Sequence, residues 1–247
     1  MSCKSARRTA GLGGAAPEKN PSPIFTNPVG LLYLQSVFVQ MFGEPVTNPM
    51  GWDRAEVSEL GQVETGNTPS REVDEYYGNF IEWIKSDNIT LESMYLTRSR
   101  EMLSNKGLVE GRSVEAGSVL ITCIAGSLSS IGNVALTKKR VSFNQQINAI
   151  SPHEDVDPIF LYGLMLFAKP IIQANATEAM KKMITKSKLE EIVLYKPPLP
   201  LQQRFAAVAA RYERLCGQQR EALRQTEHLF QTLLHRAFRG ELGQGDV

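Results

Sequence analysis

The sequence predicts an α+β protein: a mixed α/β domain followed by one long α-helix that pairs with another helix in an intermolecular coiled coil. Three observations carry that reading. Residues 51–197 alternate short β-type apolar runs with turn-rich loops. The stretch YKPPLP then halts every regular pattern, and from Leu201 to Arg239 apolar residues recur in four-three steps with no proline. Last, LQSVFVQMFGEP (Leu34 to Pro45) and FQTLLHRAFRGEL (Phe230 to Leu242) repeat one pattern. Each reads Gln, Ser or Thr, two apolar residues, two variable ones, an apolar residue, Phe and then Gly-Glu, the extra Arg239 being the one difference in spacing.

The chain divides accordingly into four parts. Residues 1–28 are rich in Gly, Pro, Ala and Ser without periodicity, which predicts a disordered or loosely packed arm. Residues 29–50 hold a short amphipathic helix, with Leu31, Leu34, Val37/Phe38 and Met41/Phe42 on one face and Gly43 and Pro45 as the stop. Residues 51–197 form the mixed domain, with β-type runs at Phe80–Lys85, Val119–Ile124, Val134–Leu136 and Gln146–Ile150. One helix is well signalled there: Asp157 as N-cap, Pro158 in the first turn and an apolar body to about Ile172. Residues 198–247 hold the hinge and the long helix. Pro197, Pro198 and Pro200 predict an extended hinge before it.

The long helix carries two neighbouring seams. One runs through Phe205, Val208, Tyr212, Leu215, Leu229 and Leu233; the other includes Ala209, Cys216, Leu223 and Phe230. At 1.5 Å per residue it is about 58 Å long, so its stripe cannot be buried against itself.

The totals exclude several classes. A net charge of +1 argues against a polybasic protein, while leaving room for locally clustered charge. Three scattered cysteines (Cys3, Cys123, Cys216) without CxxC argue against a disulfide framework or zinc site and for a reducing cytoplasm. The longest apolar run, about Ile159 to Ala168, is too short to span a membrane. No apolar stretch follows Lys4, Arg7 and Arg8, so no secretory signal is predicted.

With these residues in view, a family resemblance emerges. The stretch PPLPLQQRFAAVAARYERLCGQQREALRQTEHLFQTLLHRAFRGEL resembles the spacer region of type I restriction-modification specificity subunits, with its Pro-Leu-Pro hinge, Gln-rich helix start and L-x-x-x-A-F-x-G-E-L end. MFGEPVTNPMGW resembles the join from such a spacer into the next target recognition domain. Inside the domain WIKSDNI, VLITCIAGSLSSIGNVAL, FNQQINAI and KMITKSKLEEI follow the family's order. The resemblance implies a half-length form, with one target recognition domain and one spacer helix where the family has two of each. It also implies binding of double-stranded DNA at a bipartite site, docking to modification (methyltransferase) subunits and, through them, to the restriction subunit, and homodimerisation through the spacer helix.

Residues that could touch DNA fall in several places. Lys181, Lys182 and Lys186, with Lys188 and Thr185 among them, form an acid-free basic stretch suited to phosphates, and Lys138 and Lys139 with Arg140 form another. Asn144 and Gln145 offer the paired donor and acceptor that adenine accepts. The loops TGNTPS (Thr65, Asn67, Thr68) and GSLSSIG (Ser127, Ser129, Ser130) present hydroxyls and an amide. Lys85 and Ser86 lie where the resemblance places a loop near DNA. Each has a plainer reading as solvated surface, and Trp83 beside them reads as a half-buried core residue.

Catalytic machinery is not predicted. The sole Pro-Pro, in KPPLP, lacks the context of an adenine methyltransferase motif, GLGG follows no strand, and there is no GxxxxGK[ST] phosphate loop. His153, His228 and His235 do not form a ligand set. No cofactor is therefore expected on this chain. S-adenosylmethionine, ATP and Mg are expected on partner subunits. Two other readings stay open on sequence alone: a detached recognition tail of a fused methyltransferase-nuclease, and a coiled-coil decoy that does not bind DNA.

Overall fold

The computed structural model describes residues 28–90, 93–177 and 182–239. Residues 1–27 of the expected arm (residues 1–28), the basic Lys181 and the terminal Gly240-Glu241 stop lie outside the described residues, while Pro28 opens the first helix.

Helix α1 (Pro28–Phe42) forms where the three-four spacing places it. Leu34, Phe38 and Phe42, four residues apart, are buried, because that period brings them to one face. Gly43 ends the helix at φ +80°, its N–H donating to Val39 O at 2.8 Å. A Cβ there would sit 2.6 Å from Pro49 Cγ, so both conformation and space demand glycine. The last carbonyls find donors across the fold: Trp52 Nε1–H to Phe42 O and the Tyr195 hydroxyl to Gly43 O, each at 2.9 Å.

The domain continues with β1 (Arg54–Glu56), α2 (Val57–Leu60), β2 (Gly61–Thr65), β3 (Tyr77–Ile84), β4 (Met102–Leu103), α3 (Asn105–Glu110), β5 (Ser113–Val114), β6 (Val119–Thr122), β7 (Ile124–Ala125), β8 (Val134–Leu136), β9 (Val141–Phe143) and β10 (Ile147–Pro152). It closes with α4 (Pro158–Phe167), α5 (Lys169–Ala174), β11 (Lys182–Met183), α6 (Lys186–Glu190) and β12 (Val193–Tyr195). Helix α7 (Leu199–Phe238) follows. The central sheet has the order β2-β10-β6-β8, all antiparallel, and a second sheet the order β4-β3-β9-β5 with β3 and β9 parallel. Two ribbons, β1-β12 and β7-β11, complete the strands among the described residues.

The apolar run at β6 follows from its position between layers. Val119 and Ile121 face the cluster shared with α1, α4 and α7, while Leu120 faces a second cluster with Ile84, Val141 and Phe143. A strand buried on both faces reads as continuous rather than alternating. Four of the expected β runs hold strands: Phe80–Lys85 begins earlier, at Tyr77, and Val119–Ile124 splits into β6 and β7.

Two expectations need correction. The helix beginning at Asp157 does have that residue as its cap, accepting from the N–H groups of Ile159 and Phe160 at 2.8 and 3.1 Å. It does not run to Ile172, because Pro170 has no N–H for the carbonyl of Leu166 and its ring crowds that turn; α5 restarts at Lys169. Likewise Pro200 does not extend the hinge. It occupies the first turn of α7, where a missing N–H leaves nothing unpaired.

At 40 residues α7 is about 60 Å long. Gln202, fully buried at its base, accepts from Asp157 N–H at 2.9 Å and donates to Pro197 O at 2.7 Å. Phe205 packs on Phe38 and Phe42, whereas Tyr212 stacks on Tyr33, with ring centroids 5.2 Å apart. The reversed order means that α1 and α7 run antiparallel. Among the described residues no helix is long and apolar enough to cross a membrane.

Candidate nucleic-acid interface

One end of the central sheet gathers most of the expected residues. Register places Thr65, Thr122, Val134 and Ile147 at that end, and Gly61, Val119, Leu136 and Pro152 at the other. From β2 the Thr65–Ser70 loop is pinned back by two backbone bonds, Gly66 N–H to Ile147 O at 3.0 Å and Asn67 N–H to Phe143 O at 3.1 Å. A Cβ on Gly66 would lie 2.2 Å from Asn144 O, so glycine permits the close approach. The Thr68 hydroxyl donates to Gln145 Oε1, joining this loop to the β9-β10 turn. Both side chains are exposed.

Beneath the loop lies Trp83, at 2 % exposure, buried more deeply than the half-buried role expected of it, its Nε1–H donating to Asn67 O at 3.3 Å. The Arg71 guanidinium lies 4.5 Å above the ring of Tyr77 and 4.9 Å above that of Trp83, and Lys85 Nζ is also 4.9 Å from Trp83. Glu101 binds both cations, Arg71 at 2.7 Å and Lys85 more closely. Lys85 first, and then Arg71, hold its carboxyl below the usual carboxylate range. A lowered folded value means that this stabilisation is present above the ordinary carboxylate pKa and lost as pH falls through the lowered one. Acidification is therefore expected to release Arg71 and Lys85 from Glu101, and Glu101→Gln to remove the transition; the Trp83 indole resonance followed by NMR against pH checks it.

Several expected residues have other employment. Asn67 donates through its amide to Glu110 O at 2.6 Å and accepts from Arg112 N–H at 2.8 Å, tying the loop to the end of α3. The Asn144 side chain is buried, donating to Gln146 Oε1 at 3.0 Å and accepting from Gln146 N–H at 3.1 Å, and so shapes the turn. Ser86 approaches Gln146 Oε1 at 3.4 Å. Thr65 contributes its carbonyl, which accepts from Arg112 Nη1 at 2.6 Å.

A second group adjoins the first through Gln146, whose carbonyl accepts from the N–H groups of Cys123 and Ile124 at 2.8 and 3.1 Å. Beyond β7, Ser127 bonds Ser129 and Ser130 at 2.9 and 3.0 Å, and Gln173 holds the turn through Leu128 O at 2.9 Å. Lys182 enters by pairing of β11 with β7. Thr185 caps α6, accepting from Lys188 N–H at 3.3 Å, and Lys186 pairs with Glu190 at 3.5 Å.

Lys138 and Lys139 are not brought to this edge. They follow β8 at the opposite end of the sheet, Lys138 Nζ 3.8 Å above the ring of Tyr95 and Lys139 3.3 Å from Glu82, beside a cavity of about 540 Å³. The sequence reading also missed Arg71, Tyr77 and Arg112. Each stands outside the lysine runs, and only the fold stacks or ties it beside the loop. The one signal was that Arg71 directly follows TGNTPS.

The rod's seam divides in two. Phe205 and Ala209 are buried against α1 and α4, Val208 is half-buried, and Tyr212 stacks on α1, so this part packs within the chain. Leu215, Leu223, Leu229, Phe230 and Leu233 are exposed, between 40 and 59 %.

Comparison with known proteins fits this geometry. The model of the type I restriction modification DNA specificity domain matches residues 49–225. The type I restriction enzyme HindI specificity subunit of Haemophilus influenzae is 29% identical over 202 residues, 78% of this chain and 42% of that protein. The MjaIX specificity subunit of Methanocaldococcus jannaschii is 29% identical over 176 residues, 68% of this chain and 39% of that protein. The chain thus spans less than half the length of these curated relatives. The crystal structure of the HsdS subunit from Thermoanaerobacter tengcongensis shares the fold at a TM-score of 0.58 and 20% identity, over 87% of this chain and 52% of that one. A mixed domain with a loop-bearing edge, carried on a long helix and matched over most of its length by that family model, belongs to the type I restriction modification DNA specificity domain family.

Proposed function

We propose that this chain recognises a DNA sequence on behalf of a type I restriction-modification complex, directing methyltransferase and nuclease-translocase partners to a bipartite site. The observation that carries the reading is the convergence of Thr68, Gln145, Arg71 and Lys85 on one sheet edge, in a domain mounted on a rod with an exposed apolar seam. Cations above aromatic rings supply phosphate contacts, and exposed hydroxyl and amide groups supply base contacts. The chain itself does no chemistry in this reading. S-adenosylmethionine, ATP and Mg act on the partners.

Two copies joined through α7 would present two identical readers. A rod of about 60 Å compares with about 34–36 Å per turn of B-DNA, so the half-sites would lie somewhat under two turns apart. Selection from a randomised duplex library, with modification subunits present, tests this. The expected product is a site with two inverted copies of one half-sequence around an unread gap. No enrichment even at low salt would refute DNA recognition and favour the decoy.

A further inference from the structure

Two loops meet at the loop-bearing edge, and each exposes one polar side chain between anchored neighbours. In the β9-β10 turn the amides of Asn144 and Gln146 bond each other, Asn144 Nδ2 donating to Gln146 Oε1 at 3.0 Å, and Ser86 Oγ approaches the same oxygen at 3.4 Å. Of the three side chains at 144–146, that of Gln145 is the exposed one. In the facing loop Asn67 is tied three ways: its side chain donates to Glu110 O, its N–H donates to Phe143 O and its carbonyl accepts from Trp83. Pro69 is buried, and its carbonyl accepts from the Tyr77 hydroxyl at 2.7 Å. Thr68 stands exposed between them, with its hydroxyl donating to Gln145 Oε1.

A glutamine on a surface turn ordinarily samples many rotamers and loses that freedom when it binds. The bond from Thr68, itself fixed by its neighbours, settles the amide beforehand. A carboxamide oxygen accepts two hydrogen bonds, so Gln145 still offers one acceptor beside two N–H donors. That arrangement complements the adenine edge in the major groove, where N6–H donates and N7 accepts. Guanine presents two acceptors there, while thymine and cytosine present one polar group each, so each of these leaves part of the amide unmet. We propose that Gln145 reads an adenine of the recognised half-site, and that Thr68 is a positioning residue acting on that base through the amide. The inference rests on the DNA reading above and names the base at one position of the site. Phosphate contacts fix the register and so decide which base pair faces Gln145.

The test uses the full chain with modification subunits and the duplex found by the selection above. Both side chains are exposed, so substitution there leaves the fold intact. Gln145→Ala is expected to lose about tenfold to a hundredfold in preference for A·T at one base pair and nothing elsewhere. At that position 7-deazaadenine, which has C–H in place of N7, is expected to weaken binding of the unaltered chain and to leave Gln145→Ala unaffected. Gln145→Glu should move the preference there to cytosine, whose N4 amino group donates to a carboxylate. Thr68→Val is expected to lower the same preference by about threefold to tenfold and to do nothing further in the Gln145→Ala background, while Thr68→Ser retains it. If Gln145→Ala leaves every position unchanged, or its loss falls on a G·C pair, adenine reading is overturned while DNA recognition stands. A Thr68→Val loss at a different base pair overturns the positioning role, because Thr68 would then read a base of its own. No enrichment by the unaltered chain overturns both this inference and the DNA reading.

Discussion

Phe160→Ala is expected to lower the free energy of unfolding by about 3–5 kcal/mol, the range for removing a buried Phe side chain. Phe160 is fully buried on α4 and meets Phe42 at a centroid distance of 5.0 Å and Phe38 at 5.9 Å. The space it leaves cannot close easily. A Cβ on Gly163, one turn along, would already lie 3.1 Å from Phe205 and 3.2 Å from Phe38, so the three helices are near contact and cannot move together. The loss combines transfer of the ring to water with an unfilled cavity. Denaturant titration checks it, with a lower midpoint and an unchanged slope. By contrast Leu223→Ala, at a side chain 59 % exposed, is expected to leave the midpoint of the dilute chain almost unchanged, because little apolar surface is returned to water.

The double variant Arg71→Ala/Arg112→Ala is expected to reduce DNA binding at every sequence and to flatten its salt dependence. Each phosphate contact contributes about 0.9 to the log-log salt slope, so loss of two should lower its magnitude by about 1.8. Arg71 is prearranged for this on Tyr77 and Trp83, and Arg112 by its bond to Thr65 O. Fluorescence anisotropy over a potassium chloride series gives the slope directly. If either arginine reads guanine, the loss will instead concentrate at one base position, at about 1–3 kcal/mol. An unchanged slope with the fold intact would mean that DNA does not lie on this edge.

How far these features were legible in the sequence depends on the range of the interactions that fix them. α1, the start of α4 and α7 are set by local periodicity and caps, and all three could be read. Val134–Leu136 was legible as a run bounded by turns. Strands of two or three residues such as β5, β7 and β11 exist because a distant partner pairs with them, and no local pattern announces that. The same limit applies to the candidate site. The loop TGNTPS stood out by composition, but Arg112 reaches it from 47 residues away and Lys85 meets Glu101 across 16. Residue type alone cannot distinguish an amide facing solvent, as in Gln145, from one folded into its own turn, as in Asn144. Lysine runs drew attention to Lys138 and Lys139, which the sheet carries to its other end.

The loop-bearing edge and the foot of α7 sit at opposite ends of the central sheet, with Gln202 and Asp157 at the foot and Thr68 and Gln145 at the edge. Alterations in the loops therefore leave the mounting undisturbed. On the proposed reading, a lineage can rewrite its address label in those loops while keeping the same chassis, provided that Phe38 and Phe42 stay to seat Phe205 beyond the YKPPLP joint.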